Sequence, residues 1–169
     1  MSTFKTITAF FLLPLMLISC SEQQKGTKAE FRWKIDKYVE FWNTGNFNDI
    51  HDILCEDFEL RMTPQFESIP GIDSFMEEVT SWRKAYPDFN ITIDETIYSN
   101  NALTLRWTIT ATNTGTGSHP PTGKRIKVPG MSIFHFANGK IKDEWIASNN
   151  YYWLKQLGFT LSPPSFENE

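Results

Sequence analysis

Cationic residues are too few in this chain to form the basic stripe that neutralises a nucleic-acid backbone. The 169 residues include 16 Lys or Arg and 20 Asp or Glu, so the formal net charge is −4. Such a chain lacks the electrostatic attraction that supplies most nucleic-acid affinity. The composition therefore argues against a nucleic-acid partner and against electrostatic docking on a membrane.

The strong motifs of several enzyme classes are also missing. The sequence has no nucleotide-binding glycine loop, no His-Glu-x-x-His zinc motif, no Cys-x-x-Cys pair and no Gly-x-Ser-x-Gly turn. Its three histidines, His51, His119 and His135, fall on a predicted helix, loop and strand, without the spacing of metal ligands. We therefore expect neither a metal site nor a cofactor.

The first twenty residues have the features of a bacterial export signal that ends in a lipidation site. Lys5 supplies one positive charge, and an apolar run follows from Ile7 to Ile18. This run is too short to span a bilayer comfortably. The four residues that end at Cys20 (Leu-Ile-Ser-Cys) resemble the lipobox, in which the cysteine is acylated and becomes the mature N-terminus. An ordinary signal peptide with an incidental Cys20 is the alternative.

This N-terminal pattern predicts where the protein resides. We expect a signal peptide over residues 1–19 and a polar tether over 20–28 that begins at the lipidated Cys20. The membrane partner is then the lipid on Cys20, on the periplasmic side of the bacterial cell envelope. The next residue is Ser21 rather than the Asp that retains some lipoproteins at the inner membrane, which favours the outer membrane.

The rest of the sequence predicts one α+β domain. Six Trp, five Tyr and 14 Phe indicate a large apolar interior or pocket. Apolar residues first follow a helical period and, after Pro87, alternate as in strands. We expect three N-terminal helices covering one face of a curved antiparallel sheet, in a domain over 29–158 with a tail over 159–169. The predicted helices are 29–43, 46–54 and one that Pro87 ends; the main predicted strands are 103–112, 124–137 and 140–149.

The Asn138-Gly139 turn is typical of a hairpin, and the strands that flank it carry candidate pocket residues. Ile133 and His135 share one face before the turn, and Trp145 shares a face with Asn149 after it. These side chains could meet in a cavity. His135 is equally compatible with a pocket residue and a partly exposed strand histidine, whereas a capping role for Asn149 is slightly favoured over a pocket role. The adjacent Asp143-Glu144 pair is interpreted as solvated.

Seven short segments occur in the order and spacing of one protein family. They are 38–47, 86–89, 106–110, 120–124, 138–141, 144–145 and 156–158. Together they resemble the SnoaL-like polyketide cyclases, often named ester cyclases, of the nuclear transport factor 2-like superfamily. The resemblance implies a cone-shaped curved sheet whose mouth holds a small, largely apolar ligand, and it implies a homodimer.

The resemblance also implies site residues. In the cyclases, an Asp four residues after the final-strand Trp is the general acid/base of an aldol ring closure; here that position is Asn149. An amide has no proton that titrates near neutral pH, so Asn149 can orient a carbonyl but cannot shuttle a proton. His135, fourteen residues earlier, matches a pocket histidine and is the acid/base candidate. The expected ligand pocket comprises Tyr38, Trp42, Asn43, Asn113, Ile133 and Trp145.

Two functional hypotheses follow. In the first, an envelope lipoprotein binds a small, largely apolar, carbonyl-containing molecule and retains acid/base chemistry of the cyclase, isomerase or hydrolase type. In the second, the absence of an Asp at Asn149 marks a non-catalytic module that binds a ligand or forms a dimer.

Overall fold

The computed structural model describes residues 27–62, 68–160 and 162. The predicted signal peptide, the lipidation site at Cys20, and most of the predicted tether and tail lie outside these ranges. Within them, no helix has both the length and the apolar character needed to cross a membrane.

The described residues form four helices and six strands. In chain order these are α1 (Lys28–Thr44), α2 (Ile50–Ile53), β1 (Leu54–Met62), β2 (Ser68–Pro70), α3 (Ile72–Ala85), β3 (Asn90–Tyr98), β4 (Ala102–Thr112), β5 (Arg125–Ala137), β6 (Lys140–Ser148) and α4 (Asn150–Leu157).

Helix α1 has capping signals at both ends. The Thr27 hydroxyl accepts a hydrogen bond from the Glu30 amide at 3.2 Å, and the Glu30 carboxylate accepts one from the Thr27 amide at 3.4 Å. Gly45 ends the helix in the left-handed region, with φ of 71°. The helix predicted over 29–43 is therefore confirmed. Its buried face contains Phe31, Ile35, Tyr38, Val39, Phe41 and Trp42.

The six strands form one sheet in the order β2-β1-β6-β5-β4-β3. The antiparallel meander from β3 to β6 is confirmed. The sheet also contains one parallel pair, because β1 lies parallel to β6. The structure also contains a short strand, β2, before α3 and a fourth helix, α4, after the sheet.

Strand β5 separates a buried face of the sheet from an exposed one. Ser132 and Phe134 are each 1% exposed, whereas the residues that precede each of them, Met131 and Ile133, are 49% and 45% exposed. Gly130 lies on the buried face, where a Cβ atom would come within 2.1 Å of the Trp107 ring. The missing side chain thus leaves room for the indole, which donates a hydrogen bond from Nε1 to the Ser132 hydroxyl at 2.8 Å.

Candidate functional site

The buried face of the sheet and helices α1, α3 and α4 surround a cavity of about 520 Å³. This volume falls within the range of small-molecule sites, roughly 300–1,000 Å³. Apolar side chains form most of the wall, as expected for a site that binds an apolar ligand, and eight of them are aromatic. They are Tyr38, Trp42, Trp82, Tyr86, Phe89, Trp107, Phe134 and Trp153.

Aromatic contacts join α3 to α4 along one side of this cavity. The ring centroids of Trp82 and Trp153 are 4.7 Å apart, and Trp82 stacks on Tyr86 at 5.8 Å. The Trp153 indole donates to the Tyr86 hydroxyl at 3.2 Å, and the Trp82 indole donates to the Glu78 carboxylate at 2.7 Å. The indole N–H groups are therefore paired, and the packed rings form part of the cavity wall.

One carboxyl group is buried at the cavity wall. Glu144 on β6 is 3% exposed and lines the cavity. The Tyr38 hydroxyl from α1 donates a hydrogen bond to it, and Ser132 from β5 is its second hydrogen-bond partner. No ion pair joins Glu144 to a cation of the described chain. A carboxyl group in this setting has polar partners but no compensating positive charge.

The environment of Glu144 shifts its protonation towards neutrality. Burial raises the pKa of Glu144 to about 7, because desolvation penalises the charged form, while the hydrogen bonds from Tyr38 and Ser132 act in the opposite direction. Burial, and secondarily the nearby Glu144 carboxylate, raise the pKa of Tyr38 well above its usual value. Near neutral pH, Tyr38 therefore stays a donor and Glu144 populates both protonation states.

The inward position of Glu144 depends on a register shift. His135 pairs with Asp143 and Phe136 pairs with Ile141, so Lys142 is an extra residue between them. Ile141 and Glu144 are therefore both buried although they lie three residues apart. The interpretation of Asp143-Glu144 as a solvated pair is wrong for Glu144. A bulge of this kind leaves no local signal in the sequence. The one indirect hint is that Glu144 lies on a strand whose neighbour, β5, is rich in apolar residues.

Three of the predicted site residues lie on the opposite, exposed face. His135 Nδ1 is 2.6 Å from Asp143 Oδ1, and the His135 side chain is 44% exposed. Ile133 and Trp145 are 45% and 44% exposed, and Arg61 lies over the Trp145 ring at 5.1 Å. The prediction that these faces meet in a cavity is therefore corrected: they do adjoin, but on the outside of the sheet, because Ser132 and Phe134 take the inward positions.

Two predicted site asparagines hold secondary structure together and do not line the cavity. The Asn149 carbonyl Oδ1 accepts from the Tyr152 amide at 2.8 Å, which caps the N-terminus of α4. Asn43 bonds both backbone groups of Ile91: Nδ2 donates to the carbonyl at 3.0 Å, and Oδ1 accepts from the amide at 2.6 Å. Asn43 thereby attaches the end of α1 to edge strand β3.

Tyr38, Trp42 and Asn113 are the predicted pocket residues that the structure does bring together around the cavity. Asn113 is 2% exposed, and its Oδ1 accepts from the Thr122 amide at 2.8 Å. It thereby closes the loop between β4 and β5. Within the described ranges, no group of three or more His, Cys, Asp or Glu side chains is placed to hold a metal ion.

The family assignment rests on a match over most of this domain. The family model described as SnoaL-like polyketide cyclase matches residues 34–157. The chain belongs to this family. No curated protein sequence matches it significantly.

Solved structures show the same nuclear transport factor 2-like fold. TsrD from Streptomyces laurentii is 20% identical with a TM-score of 0.70, and the match covers 79% of this chain and 98% of TsrD. A SnoaL-like protein from Jannaschia sp. CCS1 is 12% identical with a TM-score of 0.71, covering 83% and 99% of the two chains. An NTF2-like protein from Anabaena variabilis is 14% identical with a TM-score of 0.58, covering 72% and 87%. At these identities the similarity concerns the fold.

The capping role of Asn149 predicts the effect of two substitutions. Asn149→Ala removes the acceptor for the Tyr152 amide and is expected to lower the free energy of unfolding by about 1 kcal/mol. Asn149→Asp keeps an acceptor at the cap and should leave stability unchanged. Urea unfolding of both variants and the wild type measures this difference. Equal stability of the Ala and Asp variants would contradict the capping role.

The raised pKa of Glu144 predicts a pH-dependent stability difference between the wild type and Glu144→Gln. The pKa is about 7 in the folded state against an ordinary value of 4.5, so the folded state favours the protonated form. The stabilisation of the folded state that comes from this preference is fully present below about pH 4.5 and is lost as pH rises through about 7. Its full size is about 3 kcal/mol. Urea unfolding from pH 4 to 8 measures it, and a pH-independent difference would contradict it.

Proposed function

We propose that this chain binds a small, largely apolar, carbonyl-containing molecule in its cavity. The supporting observation is a cavity of about 520 Å³ whose wall is mostly apolar and includes eight aromatic residues, and whose buried polar groups include Tyr38 and Glu144. Apolar rings provide the contact area, and a few fixed polar groups orient the ligand. A protonated Glu144 can donate a hydrogen bond to a carbonyl oxygen.

The chemistry that accompanies binding is acid/base chemistry of the cyclase, isomerase or hydrolase type. Family membership supports this reaction class, while neither His135 nor Asn149 lines the cavity to carry it. Chemistry in the cavity must therefore use another proton-carrying group. If no group does so, the same cavity serves a non-catalytic carrier of the ligand.

The cellular location belongs to the same proposal. The sequence of residues 1–20 supports export, acylation of Cys20 and anchoring on the periplasmic side of the bacterial envelope, with the outer membrane favoured by Ser21. Helix α1 begins at Lys28, and the polar residues before it would act as the tether. A ligand at this location would come from the envelope or the surroundings of the cell.

A second candidate function is self-association through the exposed face of the sheet. Met131, Ile133 and Trp145 are 49%, 45% and 44% exposed, and Ile133 pairs directly with Trp145 across β5 and β6. Adjacent large apolar side chains in solvent are typical of an interaction surface. A second copy of the chain is the occupant that we propose, and the cavity on the opposite face would remain free for the ligand.

Narrowing the cavity should weaken ligand binding. Ser81 is an exposed residue of α3 that lines the cavity, so Ser81→Trp is expected to weaken the binding of 2-tetralone, an apolar bicyclic ketone, by at least about tenfold. Thr80→Trp places the same bulk at the adjacent exposed position outside the lining. His135→Ala alters the opposite face, so both controls should bind as the wild type does. Calorimetric titration measures binding, and equal weakening in Thr80→Trp or His135→Ala would contradict the cavity as the site.

A charge on the exposed sheet face should dissociate the proposed dimer. Ile133→Lys introduces a cation at the centre of the patch, where burial would cost several kcal/mol. Tyr151→Lys removes an equally exposed apolar residue, 52% accessible, on α4. Sedimentation equilibrium should show a monomer for Ile133→Lys and a dimer for the Tyr151→Lys variant and the wild type. A monomeric wild type would exclude the dimer.

A further inference from the structure

We propose that Glu144 is the residue that exchanges a proton with a ligand in the cavity, with Tyr38 and Ser132 as its positioning residues. This inference rests on the proposed function, because it requires a carbonyl ligand at the same site. It replaces His135 and Asn149 as the acid/base candidates, since neither lines the cavity.

The first support is the way in which the carboxyl group is held. Glu144 lines the cavity and is 3% exposed, and its two hydrogen-bond partners come from different elements, Tyr38 from α1 and Ser132 from β5. Tyr38 and Ser132 are each 1% exposed, and the Trp107 indole bonds Ser132 at 2.8 Å. A carboxyl group held by two hydrogen bonds from different elements has a fixed position relative to a ligand, as proton transfer requires.

The second support is that no charged side chain of the described residues forms an ion pair with this carboxyl group. Its register partners across the sheet are the apolar residues Leu60 on β1 and Phe134 on β5. Tyr38 is the titratable group that faces it from α1, and it remains protonated. Burial raises the pKa of Glu144 to about 7, which is the range in which a carboxyl group both accepts and returns a proton at neutral pH.

Apart from the tyrosines, two other ionisable side chains of the described chain line the cavity and serve as comparisons. Glu78 on α3 accepts a hydrogen bond from Trp82 at 2.7 Å and is partly exposed. His119 belongs to the β4–β5 loop, with its ring centroid 4.9 Å from that of Phe159 near the C-terminus. Neither is fully buried, whereas Glu144 is enclosed between the helix and the sheet.

The proposed step is reversible proton transfer at the carbon next to a ketone. The Glu144 carboxylate takes the proton, the C–H electron pair forms a carbon–carbon double bond, and the carbonyl oxygen receives the negative charge as an enolate. The carboxylic acid then returns a proton to carbon and the ketone is restored. In heavy water, the Glu144 carboxylic acid exchanges its proton for deuterium before it returns one to carbon. Deuterium therefore enters the ligand.

The test follows deuterium incorporation into 2-tetralone by proton NMR. The wild type should accelerate exchange of the protons next to the carbonyl, with a rate that rises as pH increases through about 7 and then levels off. Glu144→Gln should lose at least about 100-fold of this acceleration. It should still bind the ketone, measured by calorimetry. Asp143→Asn, at the adjacent position of the strand and outside the cavity lining, should exchange at the wild-type rate.

The positioning residues have their own readout. Tyr38→Phe removes a hydrogen bond that favours the charged carboxylate, so the midpoint of the pH profile should rise by about one unit. Ser132→Ala should move it in the same direction. A residue that only stabilised the fold would lower the rate without moving this midpoint.

The remaining outcomes separate this inference from the proposed function. If 2-tetralone binds but exchange is undiminished in Glu144→Gln, or is lost equally in Asp143→Asn, the role of Glu144 alone is overturned. Failure of the wild type to bind the ketone would count against the proposed function. Carbon-13 NMR of labelled glutamate side chains then decides the inference without a ligand. The Glu144 resonance is assigned by its absence in Glu144→Gln. A titration near pH 7 supports the inference, and a titration in the ordinary range of glutamate overturns it.

Discussion

The hydrogen bond from Tyr38 to Glu144 joins the longest helix to the centre of the sheet, and the rest of the site depends on it. A carboxyl group that is 3% exposed is strongly disfavoured unless it has polar partners or gives up its charge, and here it does both. Around this pair, the aromatic residues of α1, β4 and β5 exclude solvent. The same enclosure that forms the apolar cavity therefore also sets the protonation of its buried acid.

The general fold was predictable because it depends on periodic patterns that many residues share. The spacing of Phe31, Ile35, Tyr38 and Trp42 predicts the buried face of α1, and Asn138-Gly139 predicts the β5–β6 hairpin. The parallel pairing of β1 with β6 was not predictable in this way. Its partners are far apart in the sequence, and local alternation does not reveal which distant strand lies alongside.

The site was predictable only in part, because the sequence does not show which of the alternating residues of β5 and β6 face the interior. Tyr38 and Trp42 were placed correctly because a helical face is defined by several apolar residues at once. In β5 and β6, however, apolar residues occupy both faces, so Ile133 and Trp145 look as suitable for the interior as Phe134 and Ile146. A single extra residue, Lys142, then moves Glu144 to the inside, and no local sequence rule fixes the position of such a bulge.

Asn149 illustrates how a departure from a family's catalytic pattern can be interpreted structurally. An amide satisfies the cap of α4 as well as a carboxylate does, so the fold does not require an acid at this position. Meanwhile the buried face of β6 carries a carboxyl group at Glu144, on the strand that leads directly into that cap. An amide at position 149 and a buried carboxyl group at Glu144, five residues earlier, fit the proposed proton transfer from the wall of the sheet. In such a cavity, reactivity depends on the residue that α1 places against Glu144 of β6. That residue is Tyr38, the only titratable residue of the described chain that hydrogen-bonds to this carboxyl group.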